Sequence, residues 1–158
     1  MLNVSDHPSP PPSQLLIRPI ELHDAAEACL LIEQLGYQRS LDEVIAWIET
    51  LPQRAGYQSA FVACIENQVV GWIEISIEHR LQSAPYALIG GLVVKDGYRN
   101  LHIGLHLCEH AEAWSWQRGV SVVRVTSRST RPDAHRFYLR NGYQMVKISH
   151  VLEKKHPA

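Results

Sequence analysis

The stretch from Leu92 to Leu107, Leu-Val-Val-Lys-Asp-Gly-Tyr-Arg-Asn-Leu-His-Ile-Gly-Leu-His-Leu, narrows the choice of fold more than any other part of this chain. An apolar, β-branched run stops at a turn, and a loop bearing Gly97 and Gly104 runs straight into a segment of helical periodicity. A strand that feeds a helix through a short loop calls for an α/β layer architecture. It also makes an anion site, because the loop and the helix N-terminus offer main-chain N–H donors to one point and Arg99 adds a fixed positive charge. The spacing is neither that of a P-loop nor that of a dinucleotide-binding glycine motif. The plain alternative is an ordinary strand-to-helix connection with two glycines.

The elements around it follow from periodicity and punctuation. Residues 1–13, with Pro8, Pro10, Pro11 and Pro12 among polar residues, read as a disordered tail, and 14–158 as a single domain. Leu15–Ile20 reads as a first strand. Asp24, with Glu27 three residues on, reads as the cap of a helix through Ala28, Leu31, Ile32 and Leu35 that ends at Gly36. Ser40 and Glu43 form a second capping box, and Pro52 closes that helix. Ala60–Ile65 and Val69–Ile77 form a hairpin about Glu66-Asn67, with Ile73, Ile75 and Ile77 alternating with Trp72, Glu74, Ser76 and Glu78. Tyr86–Val94 is apolar enough for a central strand. A helix from about Ile103 to Arg118, a strand at Val120–Thr126, and a helix capped by Thr130 with Asp133 and ended by Asn141-Gly142 come next. Tyr143–Ile148 and His150–Glu153 read as a final strand pair. The order is β-αα-βββ-α-β-α-ββ, an α/β domain around a mixed sheet.

Composition limits the function. The net charge is −1, but residues 1–80 hold eleven Asp/Glu against four Lys/Arg, and residues 81–158 hold five against eleven. An acidic half followed by a basic half suggests ligands of opposite sign meeting on one domain; chance segregation of solvated charge is the alternative. Cys29, Cys64 and Cys108 are odd in number and widely spaced, which argues against a disulfide framework or a structural zinc site and for free thiols in a reducing compartment. No apolar run reaches membrane-spanning length and no signal-peptide core is present, so a cytoplasmic protein without a membrane partner is expected.

Two motifs carry a family resemblance. Val94-x4-Arg99-x2-His102-x-Gly104 resembles the pyrophosphate-binding motif of the GNAT superfamily, the acetyl-CoA-dependent N-acetyltransferases, which reads Arg/Gln-x-x-Gly-x-Gly/Ala after the fourth strand. Ala134-His-Arg-Phe-Tyr138-Leu-Arg-Asn-Gly142-Tyr143 resembles the family's Ala-x-x-Phe-Tyr-x-x-x-Gly-Phe/Tyr segment. The resemblance covers about residues 15–155. It implies the acyl-CoA N-acyltransferase fold, with a mixed central sheet of six to seven strands flanked by four helices. It also implies acetyl-CoA as co-substrate, no metal, a small-molecule amine as acceptor, and a possible homodimer. Main-chain groups at Leu92, Val93 and Val94 would pair with the pantetheine amides like an added strand. The run Arg99, Asn100, Leu101, His102, Ile103, Gly104 and Leu105 would hold the pyrophosphate, and Ser127 would meet the pantetheine arm. His102 departs from the family's first glycine. It either turns its side chain away and leaves binding to the main chain, or adds a titratable phosphate contact.

The chemistry needs a neutral amine, attack on a thioester, and a proton for the departing thiolate. By resemblance, Tyr138 is the acid that protonates the coenzyme A sulfur; without the resemblance, Phe137-Tyr138 reads as an aromatic packing pair. The acidic residue that many relatives carry in the fourth strand is missing, with Ile89-Gly90-Gly91-Leu92 in its place. Glu74, on the polar face of the preceding strand, is the substitute base; Glu78, Glu33, His79 and a water chain are the alternatives. The acidic N-terminal half favours a cationic acceptor. Small amines fit best, including polyamines, aminoglycosides or other amino-sugars, and amino acids, and the Phe-Tyr segment resembles that of aminoglycoside or aminoalkyl acetyltransferases. A protein N-terminus or lysine is the second acceptor class, and an acyl-CoA sensor without transfer is the non-catalytic alternative.

Other constellations carry less. His102, His106 and His110 share a helical stripe but stand a turn apart, a poor arrangement for one metal ion. No strained elbow supports a triad around His135 and Asp133. Trp114 and Trp116 read as packing residues. Arg124, Arg128, Arg131, Arg136 and Arg140 could meet nucleic acid, but the phosphates of coenzyme A account for that charge more simply.

Overall fold

The computed structural model describes residues 14–99 and 101–158 of the chain. They form two compact units divided between Thr126 and Ser127. The Pro-rich residues 1–13 and Asn100 lie outside the described residues.

The first unit is built on one five-stranded sheet in the order β1 (Leu15–Pro19), β2 (Gln58–Ile65), β3 (Gln68–Arg80), β4 (Ser83–Val94), β5 (Val123–Val125). The first four strands form an antiparallel meander, and β5 joins β4 in parallel. Glu66 and Asn67 take φ of 51° and 63° at the β2–β3 turn. Two left-handed residues make the tight turn whose twist suits a two-residue hairpin. In β3 the buried Ile73, Ile75 and Ile77 alternate with half-buried Trp72, Glu74, Ser76 and Glu78, as the sequence pattern predicts.

That alternation assigns the two faces. Helices α1 (Ala25–Leu35) and α2 (Leu41–Thr50) pack their buried Ala28, Leu31, Val44 and Ile48 on the face that carries Val62 and Trp72. Helix α3 (Ile103–Gln117) buries Ile103, Leu107, Cys108, Ala111 and Trp114 against the other face. Gly71 belongs to that face: a Cβ there would stand 2.8 Å from Val93 O and 3.2 Å from Leu107 Cδ1. The Cys108 thiol, pushed up to about 12 by burial, stays protonated and inert.

The second unit holds α4 (Pro132–Arg140), closed by Gly142 at φ 90°. Residues 144–158 contain no strand, so the sheet has five strands where six to seven were expected. Met145, Val146, Ile148, Val151 and Leu152 do carry strand-like apolar character, yet all are exposed. Apolar residues alone do not make a strand. It needs a partner for its main-chain groups, and an isolated pair is marginal in water.

Two caps also differ from expectation. Helix α4 is preceded by Arg131 with Pro132 in its first turn, so Thr130 is not its cap. Asp24 does not cap α1 with its side chain. It is 1% exposed, accepts two bonds from Arg18 at 2.7 and 2.8 Å, and takes the Glu21 N–H at 2.8 Å within a short 3-10 turn. Glu27 reaches across instead to accept Val69 N–H at 2.8 Å. The Ser40–Glu43 box forms as predicted, at 3.1 Å in both directions.

Burial alone would raise the Asp24 carboxyl, but the Arg18 bonds, the Glu21 N–H and the Arg18 charge outweigh it and hold it below its ordinary value. A depressed folded value means stability that is present above about pH 4 and lost as pH falls through the folded pKa. Asp24→Ala should cost on the order of 3 kcal/mol in urea unfolding at neutral pH, because it strands Arg18 beside a cavity. The loss should shrink as the pH is lowered toward 3; a loss independent of pH would rule out the ion pair as its source.

Candidate functional site

The centre of the site is a β-bulge. Glu74 pairs with Gly91 and Ile75 with Ile89, so Gly90 is the extra residue on β4. Pairing with β5 ends at the same place, its last partners being Ile89 and Val125. Beyond that point β4 has no strand on its β5 side among the described residues. Lys95 N–H bonds Val70 O on β3 at 2.7 Å. Alternation then turns the main-chain groups of Leu92 and Val94 to the open edge and those of Val93 toward β3, with the Val93 side chain buried. The open edge is a template for an extended, amide-bearing ligand.

Glu74 fills the space that glycine leaves at the bulge. A Cβ at Gly90 would lie 2.9 Å from Glu74 Oε2 and 3.1 Å from its carboxyl carbon. The other oxygen, Oε1, accepts Gln58 Nε2 at 2.8 Å. Burial raises the Glu74 carboxyl above its ordinary value, and the Gln58 bond and the Arg54 charge offset only part of that rise. A half-buried carboxyl whose pKa burial raises, beside an open strand edge, is a better proton acceptor than an exposed one. Of the alternatives, Glu78 accepts Ser76 Oγ at 2.9 Å and stands 3.8 Å from Arg80, while Glu33 and His79 are exposed.

The loop after β4 is tied down from two sides. Gln34 of α1 donates to Val94 O at 2.8 Å and accepts Asp96 N–H at 3.0 Å. Tyr98 OH donates to Gln68 Oε1 at 3.3 Å. Arg99 is exposed and pairs with Asp96 at 3.0 Å. His102 enters α3 with φ 59° and ψ 19°, a left-handed residue. This is the physical reason a glycine suits the position, and His is among the residues that tolerate it. The N–H groups of Ile103, Gly104 and Leu105 lie in the first turn of α3, where a helix has donors to spare. That turn carries no acidic residue to neutralise the helix dipole. Asn100, expected in this run, lies outside the described residues.

In the second unit Ser127 is half-buried and Tyr138 lies on α4. The Tyr138 ring packs edge-on against Phe137 at 5.1 Å and Tyr143 at 5.4 Å. Among the described residues no group of three or more His, Cys, Asp or Glu is placed to hold a metal ion. In the histidine stripe, His106 pairs with Glu109 at 3.4 Å and His110 packs edge-on against Phe61 at 5.5 Å. Trp114 is buried beneath the Arg118 guanidinium at 3.9 Å, whereas Trp116 is exposed and does not pack as expected. Sequence reasoning missed Gln34, Gln58 and Arg54. Gln34 is bonded to residues sixty and sixty-two positions away, and no local pattern marks such a partner.

Comparison with known proteins gives the family and the fold. Residues 20–143 match the family described as acetyltransferase (GNAT) family. The chain is 34% identical over 116 residues to an aminoalkylphosphonate N-acetyltransferase of Salmonella typhimurium, a match spanning 73% of this chain and 72% of that protein. Its fold is similar to that of aminoglycoside N-acetyltransferase AAC(6')-Iy in complex with a bisubstrate analogue of coenzyme A, with a TM-score of 0.79, 17% identity, and 90% and 99% of the two chains covered. It is similar also to glucosamine-6-phosphate N-acetyltransferase of Arabidopsis thaliana, with a TM-score of 0.78, 18% identity, and 89% and 99% covered.

The left-handed conformation at residue 102 has a direct consequence for stability. His102→Val should lower unfolding stability by about 1–2 kcal/mol, since a β-branched side chain is excluded there. His102→Gly should stay within about 0.5 kcal/mol of the parent. Chemical denaturation decides; equal losses in both variants would contradict the conformation.

Proposed function

The chain belongs to the GNAT family of acetyltransferases, and from that premise we propose that it transfers acetyl from acetyl-CoA directly to the primary amine of a small acceptor in a ternary complex. The observation that carries this reading is the Glu74 carboxyl set over the Gly90 bulge, beside the open edge of β4. The residues present fit the donor. The main-chain groups of Leu92 and the N–H of Val94 suit the pantetheine amides, with Val94 O held by Gln34 and Val93 keeping the strand in register. The first turn of α3, from His102 to Leu105, suits the pyrophosphate, joined by Arg99, Asn100 and Leu101. Ser127 is assigned to the pantetheine arm by the family pattern.

Glu74 accepts the proton that the acceptor ammonium must shed. The freed amine forms the new N–C bond as the C–S bond breaks, and the Tyr138 phenol gives its proton to the departing thiolate. A thioester is already activated, so no acyl-enzyme is required. With the Glu74 carboxyl raised, kcat/KM should fall on the acid side as that group protonates.

The same sheet face informs the acceptor. Glu74, Ser76 and Glu78 follow one another along it and favour an ammonium. Arg124 pairs with Leu88, itself opposite Ser76, and so shares that face; its guanidinium stacks on Tyr86 at 4.5 Å and has no ion pair among the described residues. An aminoalkylphosphonate, the acceptor class named for the Salmonella relative, would offer an amine to Glu74 and an anion to Arg124.

Thiol release from acetyl-CoA across a panel of polyamines, aminoglycosides, amino-sugars and aminoalkylphosphonates tests the reading. Glu74→Gln and Tyr138→Phe should each lower kcat by about 10²-fold or more while acetyl-CoA still binds in calorimetry. Gly90→Ala should lower kcat by about tenfold or more, because its Cβ displaces the carboxylate. Turnover unchanged in Glu74→Gln would remove that residue from the mechanism. Arg124→Met should raise KM for an aminoalkylphosphonate and leave an aminoglycoside unaffected; equal effects on both would count against an anion-bearing acceptor.

A further inference from the structure

We propose that Gln58 is a positioning residue for the reaction: oriented by Arg54, its side-chain amide holds one oxygen of Glu74 so that the other faces the Gly90 bulge. The proposal rests on the reading of Glu74 as the base. Three bonded side chains carry it. Arg54 Nε donates to Gln58 Oε1 at 2.7 Å, and Gln58 Nε2 donates to Glu74 Oε1 at 2.8 Å. A guanidinium can only donate and a carboxylate can only accept, so the group between them must do both. An amide does, and only one of its two orientations satisfies both neighbours. The direction of the Gln58 amide is therefore set by chemistry: its N–H ties one oxygen of Glu74, and the other has no hydrogen-bond partner among the described residues.

Arg54 is itself held. Its Nη1 donates to Thr50 O at 3.2 Å and Thr50 Oγ1 at 2.9 Å, its Nη2 donates to Trp47 O at 3.2 Å, and its guanidinium stacks on the Trp47 ring at 5.3 Å. These carbonyls belong to the last turns of α2, where a helix has acceptors to spare and favours a cation. The chain of bonds thus runs from the end of α2 through β2 to the carboxyl on β3. A free glutamate side chain samples several rotamers; the bond from Gln58 to Oε1 restricts that freedom.

The groups around Glu74 make the consequence specific. Gln58 approaches from β2, Arg54 from the turn after α2, and β4 offers the side-chain-free Gly90 and Gly91. On β3 itself the next carboxyl is Glu78, which Ser76 already engages. Gln58 and Arg54 both lower the Glu74 carboxyl against the rise that burial causes, so removing either moves it further up.

The test uses the full chain with acetyl-CoA and the panel amine it turns over best, and follows the Glu74 carboxyl by carbon NMR titration. In Gln58→Leu, and in Gln58→Met as a flexible variant of similar length, Glu74 should titrate at higher pH than in the parent. The acid limb of kcat/KM should move up with it. At neutral pH kcat should fall by about tenfold to a hundredfold, with KM for acetyl-CoA within about twofold. Arg54→Met should shift both in the same direction. A Glu74 titration and an acid limb left in place in a folded Gln58 variant overturn the proposal. If Glu74→Gln is inactive in that case, the positioning role alone has failed. Full activity in Glu74→Gln overturns the base assignment and the positioning role together.

Discussion

One extra residue in β4 organises the site. The bulge at Gly90 falls where β4 and β5 part, so the strand leaves its neighbour and changes its side-chain phase at one point. Main-chain groups of Leu92 and Val94 lie on an edge that another strand would otherwise cover. The face on the α1 and α2 side acquires a gap with no Cβ, and Glu74 of β3 occupies it. Edge and carboxyl are consequences of the same irregularity. A regular pairing of β4 with β5 through Val94 would abolish the first, and a side chain at residue 90 would displace the second.

The surrounding structure supplies what such an opening lacks. An unpaired edge is a weak point in a sheet, and here Gln34 of α1 bonds both Val94 O and Asp96 N–H where the edge runs into the loop. A half-buried carboxyl is unfavourable unless hydrogen-bonded, and the amide of Gln58 satisfies one oxygen while leaving the other available. Both helpers are glutamines, residues that donate and accept at once, placed where a main-chain carbonyl or a carboxylate must be matched to a second partner of opposite kind. The donor end follows different physics. The start of α3 has no acidic residue in its first turn, and among the described residues Arg99 pairs with the exposed Asp96, a contact worth little in water.

Local chemistry made much of this legible in the chain itself. The Glu66-Asn67 hairpin, the Ser40–Glu43 box, the isoleucine alternation of β3 and the β4-loop-α3 unit each depend on residues within a few positions of one another, and each formed as read. Asp24 shows where that logic stops. Its spacing to Glu27 looks like a cap, but a partner in β1 and another in the preceding turn claim its carboxylate. The strand-like residues 143–153 show a second limit, since alternation describes a face and not the neighbour that would complete it. The partners of Glu74 were hidden for the same reason: Gln58 comes from another strand and Arg54 from a turn, and nothing in either segment marks them as belonging to a site.

The GNAT resemblance implies a carboxylate in β4, where this chain has Ile89-Gly90-Gly91-Leu92; on the proposed reading Glu74 takes its place. With Glu74 Oε2 only 2.9 Å from where a Cβ at residue 90 would stand, a side chain there would require the Glu74 carboxyl to shift. Glu74 reaches the bulge from the neighbouring strand, with its other oxygen bonded to Gln58 and Gln58 in turn to Arg54. On the proposed reading, a base placed from β3 calls for glycine on one side and a bonded amide on the other. Both requirements are met in this chain by residues whose own sequence neighbours give no reason for them.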